Sequence, residues 1–165
     1  MLFLLQAMIM KMYNKLSQKG YEELYGDEQR EKFMIIKQNV KLNGLTLDVG
    51  CGTLISREFF DNVIGIDPSE ELIKDKENAF KASAEKIPFD DNYFDNVICV
   101  TVLQNVKDLD KAIKEMKRVC KGNFVFSVLR RVESFDIIVK KLKEEFKFNK
   151  QILTNKDLIL IKHLK

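Results

Sequence analysis

The 165-residue sequence predicts an α/β fold with a doubly wound, mostly parallel sheet, and three features carry that expectation. Short apolar or β-branched runs at 45–49, 63–66, 96–100 and 124–129 are bounded by Gly, Asp or Asn, as strands buried on both faces are. Helical stretches separate these runs, and strands alternating with helices at this spacing imply parallel neighbours joined by right-handed crossovers. The tail differs: runs at 146–153 and 158–163 are joined by only 154–157, short enough for an antiparallel hairpin and too short for a helix.

Taken in order, residues 12–40 read as helical. Asp27 stands where it can cap the helix before Glu28, and Phe33, Ile36 and Val40 share one face while Lys32 and Lys37 point elsewhere. In 109–120, Leu109, Ala112, Ile113, Met116 and Cys120 line one stripe, with Asp108 placed to cap the start and Gly122 to lie just past the end. Residues 134–145 repeat the device with Phe135, Ile138, Val139 and Leu142. Pro68 and Pro88 fall where strands should have ended, and there is no internal repeat, low-complexity tract or linker. One domain is expected over 1–165: an apolar leader at 1–11, a helical region at 12–44 and the sheet core at 45–165. The first ten residues carry no charge, yet they are too short to span a bilayer and lack a basic leader and a small-residue cleavage site. With Met at 1, 8, 10 and 12, either translation starts at a later methionine or the stretch packs on a partner or on the chain itself.

Composition narrows the function classes. With 45% hydrophobic and 32% charged residues, disorder, collagen-like repeats and a disulfide scaffold are excluded. The balance of 28 basic against 25 acidic residues leaves a net charge of +3, so charge does not indicate nucleic acid as a partner. Cys51, Cys99 and Cys120 are odd in number and spaced for no zinc pattern, so no metal is expected, and a reducing cytoplasm is the expected location.

In an open parallel sheet the ligand lies beyond the carboxyl ends of the strands, so the residues after each run matter most. After the first run comes LDVGCGTLIS at 47–56, where Gly50 and Gly52 allow a sharp turn and a close approach, with amides at the start of the next helix expected to be free to donate. A plain turn would use the same glycines. Asp67 ends the second run, 19 residues after Asp48, where a carboxylate can accept both ribose hydroxyls of a nucleoside. The dinucleotide fingerprint wants a third glycine where Ile55 stands, and Asp48 would repel its pyrophosphate. An adenosine ligand with a cationic end, such as S-adenosylmethionine, suits Asp48 and this loop better.

These residues also resemble the class I S-adenosylmethionine-dependent methyltransferases with a DxGCGT loop. The resemblance runs through LDVGCGT at 47–53, GIDPS at 65–69, AEKIPFDDNYFDNVICV at 84–100 and KRVCKGNFVFSV at 117–128. It implies a Rossmann-like, seven-stranded sheet with an antiparallel C-terminal strand and helices on both faces. It implies that Gly50, Cys51 and Gly52 wrap the methionine end of S-adenosylmethionine, that Asp67 holds the ribose, and that Ser83, Ala84 and Glu85 edge the adenine. Thr101 would face the methyl group, and Tyr21 matches an N-terminal tyrosine that covers the cofactor, although a packing role suits Tyr21 equally. Leu54 replaces a family glycine, and Ser83 replaces an acidic residue for the adenine, for which Glu85 would substitute. The family's Leu-His-His reads Leu103-Gln104-Asn105, leaving Thr101, Gln104 and Asn105 to position an acceptor and no histidine to act as base.

The single histidine, His163, is expected at the surface or in packing, Asp90–Asp91 in a solvated turn, and Lys140, Lys141, Lys143 and Lys147 on the wet face of a helix. Arg130 and Arg131 follow the fifth run, where they either receive an anionic substrate group or form a salt-bridged rim. The acceptor is unidentified: RNA, protein or a small molecule. With no long insertion after the fourth or fifth strand, a large acceptor or an activating, substrate-covering subunit must close the site. The alternative is a non-catalytic methyltransferase-fold module that serves as a partner-binding subunit.

Overall fold

The computed structural model describes residues 8, 11–13 and 15–164. The helical part begins with α1 (Gln18–Tyr21), passes through a π-helical turn at Glu22–Gly26 and runs on as α2 (Asp27–Asn39). Seven strands follow, with a short helix α3 (Glu70–Ile73) between the second and third: β1 (Thr46–Val49), β2 (Val63–Asp67), β3 (Ala79–Lys81), β4 (Phe94–Val100), β5 (Cys120–Leu129), β6 (Lys150–Leu153) and β7 (Asp157–Lys162). They form one sheet in the order β3-β2-β1-β4-β5-β7-β6. The first five strands pair in parallel, and β7 runs antiparallel to both β5 and β6.

Alternation along the strands sends side chains to two cores. Val97, Cys99, Phe124, Phe126 and Leu160 pack under α4 (Leu109–Val119) and α5 (Phe135–Glu145), which contribute Ile113, Met116, Ile138 and Leu142. Ile98, Val100, Val125, Ile159 and Ile161 pack on the other face against Phe33 and Ile36 of α2 and Ile55 of the loop after β1. Both faces are therefore covered by helix, and the parallel strands all deliver their carboxyl ends to one edge.

Several local expectations change. Asp27 does not cap a helix, because the chain enters α2 already helical from the π-helical turn, so no orphan amides need a cap there. Gly122 lies inside β5 rather than past α4, since the strand begins immediately at Cys120; a Cβ at Gly122 would lie 2.3 Å from the Asp95 carbonyl oxygen. The helix expected after the glycine loop is a single 3-10 turn, Ile55–Glu58. The tail hairpin forms, but β6 starts only at Lys150, because buried Phe146 packs on Phe124 and Phe126. Lys32, expected off the apolar face, is buried. The leader's residues 1–7, 9 and 10 lie outside the described residues, and no described helix is long and apolar enough to cross a membrane.

Candidate functional site

A cavity of about 220 Å³ opens at the carboxyl edge of the sheet. Its walls include Gly50 and Gly52 after β1, Asp67 and Ser69 after β2, Thr101, Gln104 and Asn105 after β4, Arg131 after β5, and Tyr13, Tyr21 and Tyr25 from the helical region. Gly50 and Gly52 have φ of 71° and 53°, so the turn uses left-handed backbone that favours glycine. Leu54 adopts φ 63° where the family glycine would stand, a strained choice offset by its burial in the core.

The loop amides are spent within the fold, contrary to the expectation of free donors. Gly50 and Cys51 donate to the Ile66 carbonyl at 2.8 and 3.0 Å, and Leu54 donates to the Cys51 carbonyl at 2.8 Å. Gly52 donates to Asp67 Oδ2 at 2.9 Å, and Ser69 donates its backbone N–H to Asp67 Oδ1 at 2.8 Å. The carboxylate is thereby fixed at the cavity wall with one bond on each oxygen and acceptor capacity left on both. Burial pushes the Asp67 carboxyl above the usual carboxylate range, against the pull of the two amides. Backbone that approaches closely but offers few N–H groups suits an uncharged or cationic ligand better than a pyrophosphate.

Among the described residues, three buried polar atoms, Thr53 Oγ1, Ser69 Oγ and Gln104 Oε1, have no hydrogen-bond partner, and Ser69 and Gln104 line the cavity. A buried polar atom left unpaired costs about 1–3 kcal/mol, so at a cavity wall a ligand or a water completes the bonding. Tyr21 lies over the glycine loop, where a Cβ on Gly52 would come 3.0 Å from its ring, and its own ring centroid is 6.3 Å from Tyr13 and 5.4 Å from Tyr25. Burial pushes the phenols of Tyr21 and Tyr13 above their ordinary range.

Asp48 is set back from this cavity. It is fully buried, accepts from Ser56 Oγ at 2.5 Å and faces a small pocket behind the glycine turn with Cys51 and Ile55. Burial pushes its carboxyl up to about 7, the Ser56 bond opposing and the nearby Asp67 assisting. The folded protein therefore holds a proton that the unfolded chain releases near the ordinary carboxylate value. The stability this supplies is complete below about pH 4 and is lost as pH rises through about 7. In thermal melts the wild type should lose stability relative to Asp48→Asn between about pH 4 and about pH 7, and a constant difference would contradict the raised carboxyl.

Ser83, Ala84 and Glu85 are not among the residues that line the cavity. Ser83 forms an isolated bridge to Lys86, and Glu85 accepts from the Lys107 backbone N–H at 2.7 Å, tying the start of α4. Arg130 donates to the carbonyls of Thr154 and Asn155, whereas Arg131 reaches the cavity rim. His163 follows β7, whose last residue Lys162 pairs with Phe124 of β5, away from the cavity end, where Asp157 pairs with Leu129.

Sequence reasoning missed a buried network at the cavity floor. Lys32, whose side chain is 5% exposed, donates to Glu28 Oε1 at 2.9 Å and to Thr101 Oγ1 at 2.9 Å, and forms an ion pair with Asp157 Oδ2 at 3.1 Å. Ser127 Oγ donates to Asp157 Oδ1 at 2.8 Å, and Lys156 pairs with Glu28 Oε2 at 2.8 Å. Burial works against the Glu28 charge, but the two lysines prevail and hold its carboxyl below the usual range. No local pattern reveals this network, since its members come from α2, β5, β7 and the turn after β4.

Residues 47–128 match a family model described as a methyltransferase domain. The chain is 34% identical over 152 residues to an uncharacterized protein of Methanocaldococcus jannaschii, covering 84% of this chain and 59% of that protein. It is 28% identical over 157 residues to a ubiquinone/menaquinone biosynthesis C-methyltransferase of Hahella chejuensis, covering 82% of this chain and 60% of the relative. It thus spans about three fifths of the length of these two relatives. Among solved structures, a SAM-dependent methyltransferase of Thermotoga maritima, described as a possible histamine N-methyltransferase, superposes with a TM-score of 0.59 at 25% identity, covering 77% of this chain and 64% of that one.

Proposed function

This chain belongs to the class I S-adenosylmethionine-dependent methyltransferases, and from that membership we propose that it binds S-adenosylmethionine in the cavity and transfers its methyl group to an acceptor held at the ends of β4 and β5. The observation that carries the reading is the cradle at the first two strand ends. Two positive-φ glycines face a carboxylate fixed by two backbone amides, beside a buried Ser69 hydroxyl with no partner. The residues fit the cofactor: Asp67 would accept the ribose hydroxyls, Gly50, Cys51 and Gly52 would pass close to the methionine end, and Tyr21 would cover them. When bound, S-adenosylmethionine supplies an electrophilic methyl group on a positively charged sulfur, already activated for displacement.

The protein's task is then positioning and exclusion of water. No histidine lines the cavity, and Thr101, Gln104 and Asn105 orient the acceptor by hydrogen bonds. Only 101–108 separate β4 from α4 and 130–134 separate β5 from α5, too little chain for a lid. A large acceptor or a covering protein subunit would close the site. The three buried, free cysteines suit the reducing cytoplasm.

Calorimetric titration tests the reading. S-adenosylmethionine and S-adenosylhomocysteine should bind with roughly micromolar affinity, and Asp67→Ala should weaken both by about 2–4 kcal/mol through loss of two charge-assisted hydrogen bonds. Unchanged affinity in Asp67→Ala would refute the placement of the ribose.

A further inference from the structure

Hydrogen-bond polarity at the end of β4 selects the acceptor. The Lys32 ammonium donates to Glu28 and to Thr101 Oγ1 and forms an ion pair with Asp157. Ser127 must donate its hydroxyl proton to Asp157, a carboxylate that can only accept, so the 3.4 Å contact between Thr101 Oγ1 and Ser127 Oγ is one in which Thr101 donates. Thr101 has then spent its only proton and one lone pair, and a second lone pair remains. Its φ of 60° is strained for a β-branched residue, and strain of this kind concentrates at functional sites.

Gln104 behaves alike. Its side-chain NH₂ donates to the Thr101 carbonyl at 2.9 Å, which fixes the amide orientation and leaves Oε1 buried without a partner at the cavity wall. Both side chains thus present an acceptor, and the one donor left on them is the second N–H of Gln104 Nε2. Glu28, also on the wall, is committed to Lys32 and Lys156.

We propose that the acceptor atom is a nitrogen carrying at least two N–H groups, a primary amine or an exocyclic amino group, held by one N–H on Gln104 Oε1 and one on Thr101 Oγ1. The inference rests on the methyl-transfer reading above. The nitrogen lone pair forms the new N–C bond, and the positive charge nitrogen then carries is discharged by release of one of its own protons to water. A carboxylate or thiolate would face both acceptor lone pairs and could take only the second Gln104 N–H as a donor. Arg131 on the rim is the cation in the wall that favours the opposite class, an anionic acceptor, and the test sets the two against each other.

Benzylamine and benzoate share a ring and differ in hydrogen-bond polarity. Each is titrated by saturation-transfer NMR into the protein saturated with S-adenosylhomocysteine, whose own binding is first measured by calorimetry. Benzylamine should bind about tenfold tighter than benzoate, the worth of one hydrogen bond from a charged donor, and Gln104→Leu should remove that preference while leaving S-adenosylhomocysteine affinity unchanged. Benzoate binding as tightly or tighter, neither probe binding saturably, or a preference that survives in Gln104→Leu would overturn the proposal while the cofactor reading stands. Failure of S-adenosylhomocysteine to bind the wild type would instead overturn the methyl-transfer reading and this inference with it.

Discussion

Lys32→Met is expected to lower the unfolding free energy by about 3–5 kcal/mol, the cost of leaving a buried charge without its partner. Asp157, with a side chain 1% exposed, would keep only the Ser127 hydroxyl, and Thr101 would lose the donor that holds it. For a domain of this size the melting temperature should fall by roughly 6–20 °C. Adding Asp157→Asn to Lys32→Met should recover much of the loss, because the uncompensated charge goes with it. A double variant that is less stable than either single one would show that the lysine acts through packing alone.

The second large effect belongs to Gly50→Val. A Cβ at this position would lie 2.3 Å from Val102 Cγ2, and φ is 71°, so both the neighbouring turn and the backbone must shift. Left-handed backbone at a β-branched residue and overpacking each cost about 1–3 kcal/mol, which gives an expected destabilisation of about 2–6 kcal/mol. Affinity for S-adenosylmethionine should fall at least about a hundredfold in the folded fraction, since the loop that passes the ligand is displaced. Gly50→Ala should lie between, because it shares the clash and carries less backbone strain. Wild-type affinity in Gly50→Val would mean that the ligand does not rest on this turn.

The sheet was legible where residues on both faces of a strand are buried. Val97, Ile98, Cys99 and Val100 must all be apolar because α4 covers one side and α2 the other. β3 escaped because it is three residues long at the sheet edge, with Phe80 and Lys81 exposed, so no apolar run marks it. The helix expected after β1 was illegible as a 3-10 turn because tertiary packing of Ile55, rather than propensity, decides that segment. In the site, Gly50, Gly52 and Asp67 could be read locally: a turn that needs positive φ and a carboxylate at a strand end are features of contiguous sequence. Lys32 could not, because its partner Asp157 lies 125 residues further along the chain, and a lysine among helical apolar positions reads as solvated. The tie of Glu85 Oε1 to the backbone amides of Lys107 and Asp108 is equally invisible to a local pattern.

Amide-resolved NMR with S-adenosylhomocysteine added stepwise tests the central claim most directly. The account predicts saturable shift changes concentrated in three segments that wall the cavity: Gly50 to Leu54, Asp67 to Leu72, and Thr101 to Asn105. His163, after β7 and away from the cavity end, should not move. No saturable change, or changes centred away from these segments, would contradict the account.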